Sequence, residues 1–514
     1  MEKREDLRSI LPYLGVVVEG SSVLWPSPVI EPLKAISRGP DHSGIHSGEL
    51  LFLAISDLRH SLSLSSQRLS ASAPHGYALF FDKLLSRPES SKWFAEVLPA
   101  LANLLLRFPS LLEFHYRNAD TLIDGVQTGL RILDSQQSGI VFLSQELIGA
   151  LLTCSFFCLF PITNRDAKHL PMINFDHLFS CLYDIYDEKM ENKIKCIVHY
   201  FERICSQMPT GLVSFERKVL PLEDSPFCVT YPKADLWSKS AVPLCHFEVH
   251  RSGLIEDQSK EALEVDFANR YIGGGALRRG CVQEEIRFMI NPELIAGMLF
   301  LPSMADNEAI EVVGPERFSN YTGEINKAFC GFFDQSKCQQ YQRLFKGDGL
   351  CGAHLDQGVQ GPDSISWNNL LLQEAPYASV GTNEGIYGDQ QIRNAEEKGG
   401  HSLGHRYDIG VVTGNWGCGA FGGDPELKTI IQWLAASQAL RPFISYHTFG
   451  VEALKTLDKV IQWILSHKWT VGDLWDMLVE YSTQRLRGET SLGFFTWLLP
   501  SLSAPDATMM DMAD

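Results

Sequence analysis

Six residues that could carry out chemistry lie within one short stretch of the chain. They are three consecutive glycines and, after a seven-residue spacer, an amide and two carboxylates: Gly273, Gly274, Gly275, Gln283, Glu284 and Glu285. Glycine allows positive φ angles and lets a bound group approach the backbone amides. Two neighbouring carboxylates repel each other, so burial favours keeping a proton on one of them. The stretch therefore predicts a site with one proton donor and one proton acceptor.

The residues around this stretch suggest where the carboxylates lie. The alternating apolar segment 263–267 is typical of a half-buried strand, which would carry Asp266 and end at Asn269. Taken singly, a glycine triplet most often forms a tight turn, and adjacent glutamates most often lie on a solvated helix face. The apolar segment that follows, Ile286–Ile290, instead places the carboxylates at the edge of a core.

A second glycine-rich loop lies late in the chain. Ile409–Val412 is typical of a buried strand, and Asp424 can cap a helix that begins at Pro425. The loop between them also contains Asn415 and Trp416, which add an amide and an aromatic face. Glycine amides at a helix N-terminus favour a phosphate or diphosphate. A glycine turn with a purely structural role is the alternative.

The same loop matches the dinucleotide fingerprint through Gly417, Gly419 and Gly422. A Rossmann enzyme needs an acidic residue about 20 positions later to hold a ribose hydroxyl. The next predicted strand, Phe443–Phe449, contains neither Asp nor Glu, and the loop does not open a βαβαβ unit. These two features disfavour a nicotinamide-dependent oxidoreductase.

Composition restricts the class of protein. With 514 residues, 45% of them hydrophobic, the chain is long enough for two or three globular domains. The twelve cysteines lack metal-ligand spacing, which predicts reduced thiols in an intracellular protein and no metal site. The N-terminus has no secretion signal, and the apolar run 147–160 is shorter than the about 20 residues that span a bilayer. A net charge of -18 disfavours direct nucleic-acid binding through a basic surface.

Apolar spacing predicts two structural regions. In the first, segment 94–109 predicts a helix that kinks at Pro99 and ends near Pro109, segment 122–133 predicts a second helix, and segment 145–160 a buried central helix. None of these residues is predicted to be catalytic. After Pro209, short strands alternate with helices, which predicts an α/β sheet with ligands at the C-terminal edges of its strands.

These motifs resemble the poly(ADP-ribose) glycohydrolase family, in its plant-type form. The resemblance lies in GGG, the spacer and QEE, in VDFAN and TGNWGCGAFGGD, and further in FLSQELIGALL, HYFER and ISYHTFG. It implies an all-helical accessory domain over 1–205, a macrodomain-like α/β core with a mixed sheet over 206–480, and a C-terminal tail over 481–514. It also implies hydrolysis of the ribose–ribose glycosidic bond of poly(ADP-ribose) without a metal or other cofactor.

The resemblance assigns roles to individual residues. Glu285 would protonate the departing ribose hydroxyl and then, as a carboxylate, activate the attacking water. Glu284 would hold the same ribose hydroxyls, Asp266 would support the catalytic loop, and Asn269 and Gln283 match positions that contact ribose or diphosphate. The remaining substrate-binding positions, from the glycine triplet, the adenine pocket, the diphosphate loop and the ring over the terminal ribose, are Gly273, Gly274, Gly275, Ile255, Glu256, Asn415, Trp416, Gly417, Cys418, Gly419, Ala420 and Phe449.

One block of the family pattern is absent from this chain. In the family, Tyr-Thr-Gly is followed by a tyrosine that closes over the adenine and by further strand residues, whereas here Tyr321–Gly323 is followed at once by Glu324–Asn326. The composition of 336–406 predicts a flexible insertion. Two functions therefore stay open, an active hydrolase and an ADP-ribose-binding module with weak or no hydrolase activity.

The resemblance also implies a biological setting. The substrate would be poly(ADP-ribose) attached to proteins, and the protein would act as a monomer in the DNA damage response. It would lie in the nucleus, the cytoplasm or both, without membrane association.

Overall fold

Ten α-helices and three strands make up residues 1–206. The computed structural model describes residues 1–223, 229–252, 255, 261–316, 409–419 and 422–500. The predicted insertion 336–406, the junction of Gly323 with Glu324 and the end of the predicted tail lie outside these residues. The elements of this first part are α1 (Glu5–Ile10), β1 (Val17–Glu19), β2 (Ser22–Leu24), α2 (Ser27–Ser37), α3 (Pro40–Ser43), α4 (Gly48–Ser61), α5 (Ala73–Leu79), α6 (Arg87–Lys92), α7 (Leu98–Asn118), β3 (Gly139–Ser144), α8 (Gln145–Phe156), α9 (Asp176–Asp184) and α10 (Glu188–Ser206).

Helix α8 is the buried centre of this part, as its apolar composition predicts. Every residue of α8 except Glu146 is buried. The hydroxyl of Ser144 accepts a hydrogen bond from the amide of Leu147 and so caps the helix start. Helix α7 packs against α8 on one side and against α2 on the other. An all-round apolar helix is stable in water only when such neighbours cover it.

Two helix predictions for this part are wrong. Helix α7 continues through Pro109 to Asn118, and Pro99 lies in its first turn. A π-helical turn, Trp93–Val97, directly precedes α7. Because prolines and π-helical turns are both common positions for a bend in a helix, the kink at Pro99 stays a prediction. The predicted helix 122–133 is absent, because the chain there consists of turns and irregular backbone.

The long helical stretch around α7 also has the size of a membrane span. Arg87–Thr121, 35 residues, is apolar and long enough to cross a bilayer by length and composition. Half of its most apolar window is buried inside the protein, as in the core helix of a globular protein.

The second part of the described chain alternates strands and helices, as the sequence predicts. The regular elements are β4 (Leu212–Val219), α11 (Ala234–Ser238), β5 (His246–His250), β6 (Ala262–Glu264), α12 (Gln283–Ile290), β7 (Glu308–Val313), β8 (Gly410–Gly414), α13 (Pro425–Gln438), β9 (Phe443–His447), α14 (Leu457–Ser466), α15 (Val471–Leu486) and α16 (Phe494–Leu498). A 3-10 helix, Pro292–Leu299, follows α12 in this part of the chain.

Together with β3, these strands form two sheets of different kinds within the described residues. The order β5-β9-β8-β6 is parallel throughout, whereas the order β3-β4-β7 is antiparallel. In the parallel sheet Phe247 pairs with Ile444, Ile444 with Val411, and Val411 with Leu263. Because the strands run in one direction, their C-terminal ends meet at one edge, where ligands bind in sheets of this type.

Helices cover the parallel sheet and complete a second core. The carboxylate of Asp424 accepts hydrogen bonds from the amides of Glu426 and Leu427, so α13 starts where the sequence predicts. The indole of Trp433 on α13 donates to the carbonyl of Cys245, 2.9 Å away, beside β5. Helices α14 and α15 follow β9. Helix α16 lies within the predicted tail 481–514 but packs on α15, with Phe494 buried.

Candidate active site

The two predicted carboxylates lie in the first turn of α12. Gln283, Glu284 and Glu285 are the first three residues of that helix and are only 7%, 3% and 7% exposed. Negative side chains are favoured there, because the amides and the dipole of a helix are positive at its N-terminus. Burial of two adjacent carboxyl groups requires hydrogen-bond donors close by.

The glycine loop provides those donors. The Glu284 carboxylate accepts hydrogen bonds from the amides of Asn269 and Gly273, each 2.7 Å away. The Glu285 carboxylate accepts from the amide of Gly275 at 2.9 Å and from that of Val282 at 3.0 Å. Each carboxylate is therefore held by two backbone amides, one on each oxygen.

The glycines are required because the loop backbone runs so close to the acids. Gly273 and Gly274 have φ angles of +83° and +47°. A Cβ atom on Gly274 would lie 2.7 Å from an oxygen of both Glu284 and Glu285. The sequence predicts that the amides of this triplet face a bound group, whereas the amides of Gly273 and Gly275 bind the carboxylates. The glycine loop thus orients the acids.

The third acid, Asp266, follows β6 and is half-buried. Its Oδ1 atom is fully buried and has no hydrogen-bond partner among the described residues. Burial raises the pKa of Asp266 to about 8, an effect that Arg287 opposes and Glu285 increases. Burial, together with Asp266, also raises the pKa of Glu284 well above its ordinary value, although the amides of Asn269 and Gly273 act against this. Both shifts favour the protonated form of these two carboxyl groups.

The raised pKa of Asp266 makes stability depend on pH. Between its ordinary pKa of 3.8 and about 8, the folded protein keeps a proton that the unfolded chain has released, so this group makes the fold less stable as pH rises. Asparagine resembles the neutral carboxyl group and does not titrate. We expect Asp266→Asn to resist urea better than the wild type at pH 8 and equally well near pH 4. Each pKa unit corresponds to about 1.4 kcal/mol in the free energy of unfolding.

An exposed aspartate provides the control for this prediction. Asp235→Asn makes the same chemical change in a side chain that is 66% exposed, and it should keep the pH dependence of the wild type. If Asp266→Asn and the wild type lose stability in parallel between pH 4 and 8, Asp266 is ionised in the folded protein and the expected effect is absent.

The second predicted loop follows β8 at the same edge of the sheet. The side-chain amide of Asn415 donates to the carbonyl of Thr448 at 2.7 Å, and its oxygen accepts from the Tyr446 hydroxyl at 3.2 Å. Gly417 has a φ angle of +65°, and its carbonyl accepts from the amide of Gly423, which closes the loop. The closed loop leads directly into the capped N-terminus of α13, where an anion is favoured.

The two loops meet through a pair of aromatic rings. The rings of Phe267 and Trp416 are nearly parallel, with 9° between their planes and 6.4 Å between their centroids. The amide of Phe267 in turn donates to the side-chain oxygen of Gln283 at 3.1 Å. The carboxylate pair and the glycine-rich loop therefore border one region of the sheet edge.

Sequence reasoning missed a basic residue at this edge. The ammonium group of Lys428, on the first turn of α13, lies 3.8 Å from the centroid of the Trp416 ring, in a cation–π contact. It places a positive charge beside the loop predicted to bind diphosphate. The sequence could have indicated this position, because Lys428 lies four positions after the capping Asp424 and therefore near the start of the helix.

Phe449, Ile255 and Cys418 complete the predicted positions. Phe449 follows β9, is 40% exposed rather than a core residue, and adopts a φ angle of +47°. Its ring lies against Gly414, where a Cβ atom would be 2.9 Å from the ring edge. Ile255 is buried, and Cys418 is half-buried and free. Glu256 and Ala420 lie outside the described residues.

Two family models match the chain. Residues 85–217 match the model described as "Poly (ADP-ribose) glycohydrolase (PARG), helical domain", and residues 234–323 and 324–456 match "Poly (ADP-ribose) glycohydrolase (PARG), Macro domain fold". The chain belongs to the poly(ADP-ribose) glycohydrolase family. The predicted fold class is thereby confirmed, with a helical domain followed by an α/β domain of the macrodomain fold.

Two curated members of the glycohydrolase family cover nearly the whole chain, and a third covers about half of it. Poly(ADP-ribose) glycohydrolase 1 of Arabidopsis thaliana is 55% identical, over 98% of both chains. Probable poly(ADP-ribose) glycohydrolase 2 of Arabidopsis thaliana is 52% identical, over 98% of this chain and 100% of the relative. Poly(ADP-ribose) glycohydrolase 1 of Caenorhabditis elegans is 32% identical, over 56% of this chain and 35% of its own. The predicted likeness to the plant-type form is confirmed.

The match to the macrodomain model is interrupted at one point. It breaks between Gly323 and Glu324, the junction where the sequence predicts an absent block. The alignment with glycohydrolase 1 of Arabidopsis thaliana extends over 551 residues, more than the 514 of this chain. That relative therefore has residues without a counterpart here.

Proposed function

We propose that this protein hydrolyses ribose–ribose O-glycosidic bonds in poly(ADP-ribose) attached to proteins and releases ADP-ribose. The observation that carries the proposal is the pair of buried carboxyl groups on α12, which share a sheet edge with a glycine loop at the start of α13. The substrate contains both a sugar bond, on which the acids can act, and a diphosphate, which the glycine loop can bind. The high identity to two glycohydrolases over almost the full chain supports the same activity.

The two glutamates divide the chemistry between them. Glu285 donates its proton to the ribose oxygen that leaves C1 of the neighbouring sugar, and the C1–O bond breaks. Water then attacks C1, and the Glu285 carboxylate accepts the proton that the water loses. Glu284, held by the amides of Asn269 and Gly273, accepts hydrogen bonds from the ribose hydroxyls. The Glu285 carboxylate that forms in the first step stabilises the positive charge that develops on the sugar ring.

The loop from Asn415 to Ala420 and the start of α13 hold the diphosphate. Backbone amides and the helix dipole attract its charge, and the ammonium group of Lys428 lies beside the same loop. The half-exposed ring of Phe449 packs against the terminal ribose, as its position after β9 allows. Binding of the diphosphate by this loop orients C1 of the scissile bond towards Glu285.

Labelled polymer tests the proposal directly. The purified full chain is incubated with radiolabelled poly(ADP-ribose) on an automodified polymerase, and the products are separated by thin-layer chromatography. We expect the label to move from polymer to ADP-ribose. Calorimetry with ADP-ribose provides the second measurement. If the wild type binds ADP-ribose and releases none from the polymer, this chain is a binding module and the proposed activity is wrong.

A further inference from the structure

One buried lysine of the helical domain contacts the loop that holds Glu285. Lys193 lies on α10, in the part of the chain where the sequence predicts no functional residue, and it is 4% exposed. Its ammonium group donates to the carbonyls of Arg278 at 2.7 Å and Gly280 at 2.6 Å. The carbonyl of Gly275 lies 3.5 Å from the same nitrogen. One side chain thus binds both ends of the loop 275–280.

The surroundings of Lys193 differ from those of an ordinary structural lysine. Among the described residues no carboxylate lies within ion-pair distance of its ammonium group, so loop carbonyls replace the water that burial removes. The negative or titratable groups nearby are Glu285, Cys281 in the loop and Cys181 on α9. Burial lowers the pKa of Lys193 to about 8, and these three groups act in the opposite direction.

The contacts of Lys193 and those of Glu285 use the same stretch of backbone. Gly275 faces Lys193 with its carbonyl and donates its amide to Glu285. A Cβ atom on Gly280 would lie 2.7 Å from the Glu285 carboxyl group, and the carbonyl of Gly280 is bound by Lys193. The ammonium group and the Glu285 carboxylate therefore contact the same stretch of backbone, the first through carbonyl groups and the second through an amide.

We propose that Lys193 is a positioning residue for hydrolysis, because it fixes the loop 275–280 so that the amides of Gly275 and Val282 hold the Glu285 carboxylate in its reactive orientation. This inference rests on the proposed glycohydrolase function. It makes the helical domain a contributor to the reaction, since α10 supplies the group that orders the loop.

Lys193→Met removes the charge and keeps most of the apolar stem. Lys195→Met is the matched control, because Lys195 lies on the same helix, is 49% exposed and pairs with Glu191. We expect Lys193→Met to lower kcat on labelled polymer by about 100-fold, the order of loss that misplacing a catalytic group causes. The Kd for ADP-ribose should change by less than about threefold, because the diphosphate loop is untouched. Lys195→Met should match the wild type in both.

Hydrogen–deuterium exchange of the loop provides a measurement that does not depend on activity. Peptides containing Gly275 and Val282 should exchange faster in Lys193→Met than in Lys195→Met, while peptides of α8 exchange equally. Unchanged loop exchange, or an unchanged kcat in an active enzyme, would overturn the inference. Parallel losses of kcat, ADP-ribose binding and melting temperature would show that Lys193 only stabilises the fold. A wild type that releases no ADP-ribose would refute the activity, while the exchange data would still decide the role of Lys193.

Discussion

Glu285→Gln is expected to lower the rate of ADP-ribose release by about 1,000-fold and to leave ADP-ribose bound with similar affinity. The amide has nearly the size of the carboxyl group but no acidic proton, so it neither protonates the leaving ribose oxygen nor accepts a proton from water. One of its two polar atoms is a donor, so it retains only one of the hydrogen bonds that Gly275 and Val282 give to the carboxylate.

Initial rates on labelled polymer and calorimetry with ADP-ribose measure the two properties separately. Glu31→Gln provides the control, because Glu31 lies on α2 and its side chain is 75% exposed. The control should show the wild-type rate. A Glu285→Gln protein that releases ADP-ribose as fast as Glu31→Gln would show that another group is the acid.

Gly274→Ala is expected to have the next largest effect, a loss of about 100-fold in the release rate. The new methyl group would lie 2.7 Å from an oxygen of Glu284 and of Glu285, so both carboxylates must move. The positive φ angle of Gly274, +47°, adds backbone strain. Since the diphosphate loop is remote in sequence and forms its own hydrogen bonds, ADP-ribose affinity should fall much less than the rate.

Gly20→Ala is the control that separates the effect of backbone strain from the effect of displacing the two carboxylates. Gly20 also has a positive φ angle, +61°, but a Cβ atom there meets no atom within 4 Å. Thermal unfolding should show a small loss of stability in both variants, and kinetics should show a loss of activity in Gly274→Ala alone. Equal rates for the two variants would mean that the acids tolerate displacement or do not react.

Local patterns predicted the elements that carry the site. The β8 strand, the glycine loop after it and the cap at Asp424 follow from residue types at adjacent positions, so sequence alone placed the start of α13. Strand β6 was predicted to run as far as Phe267 and ends at Glu264. The amide of Val265 still bonds to the carbonyl of Val412, after which the chain turns away from the sheet towards the carboxylates.

Apolar spacing predicted a helix over 122–133 that the structure lacks, because the apolar residues of this segment are buried without forming a helix. Segment 122–133 has helical spacing, and Leu130 and Leu133 are buried as that spacing predicts. The chain nevertheless takes an irregular path, since Gly125 adopts a φ angle of +73° and the carbonyl of Leu130 accepts from the Tyr116 hydroxyl of α7. Tertiary contacts with α7 replaced the intrahelical bonds.

The partners of buried polar groups were beyond prediction from one sequence. The use of the glycine amides to hold Glu284 and Glu285 depends on a turn that folds back on α12. The contact of Lys193 with the carbonyl of Gly280 joins residues 87 positions apart. Residue type alone shows that a lysine is charged. Only the fold shows that Lys193 is buried and donates hydrogen bonds to the carbonyls of a loop.

The strand order β5-β9-β8-β6 dictates when the sheet that carries the site can assemble as the chain is synthesised. The two outer strands are made before residue 265, and the two inner strands only after residue 409. Among the described residues, neither outer strand has a neighbour in this sheet until then, so its backbone groups can pair only with strands that are very distant along the chain. The described part of this sheet is therefore complete only after His447 has been synthesised, and its assembly depends on pairing between strands that are distant along the chain.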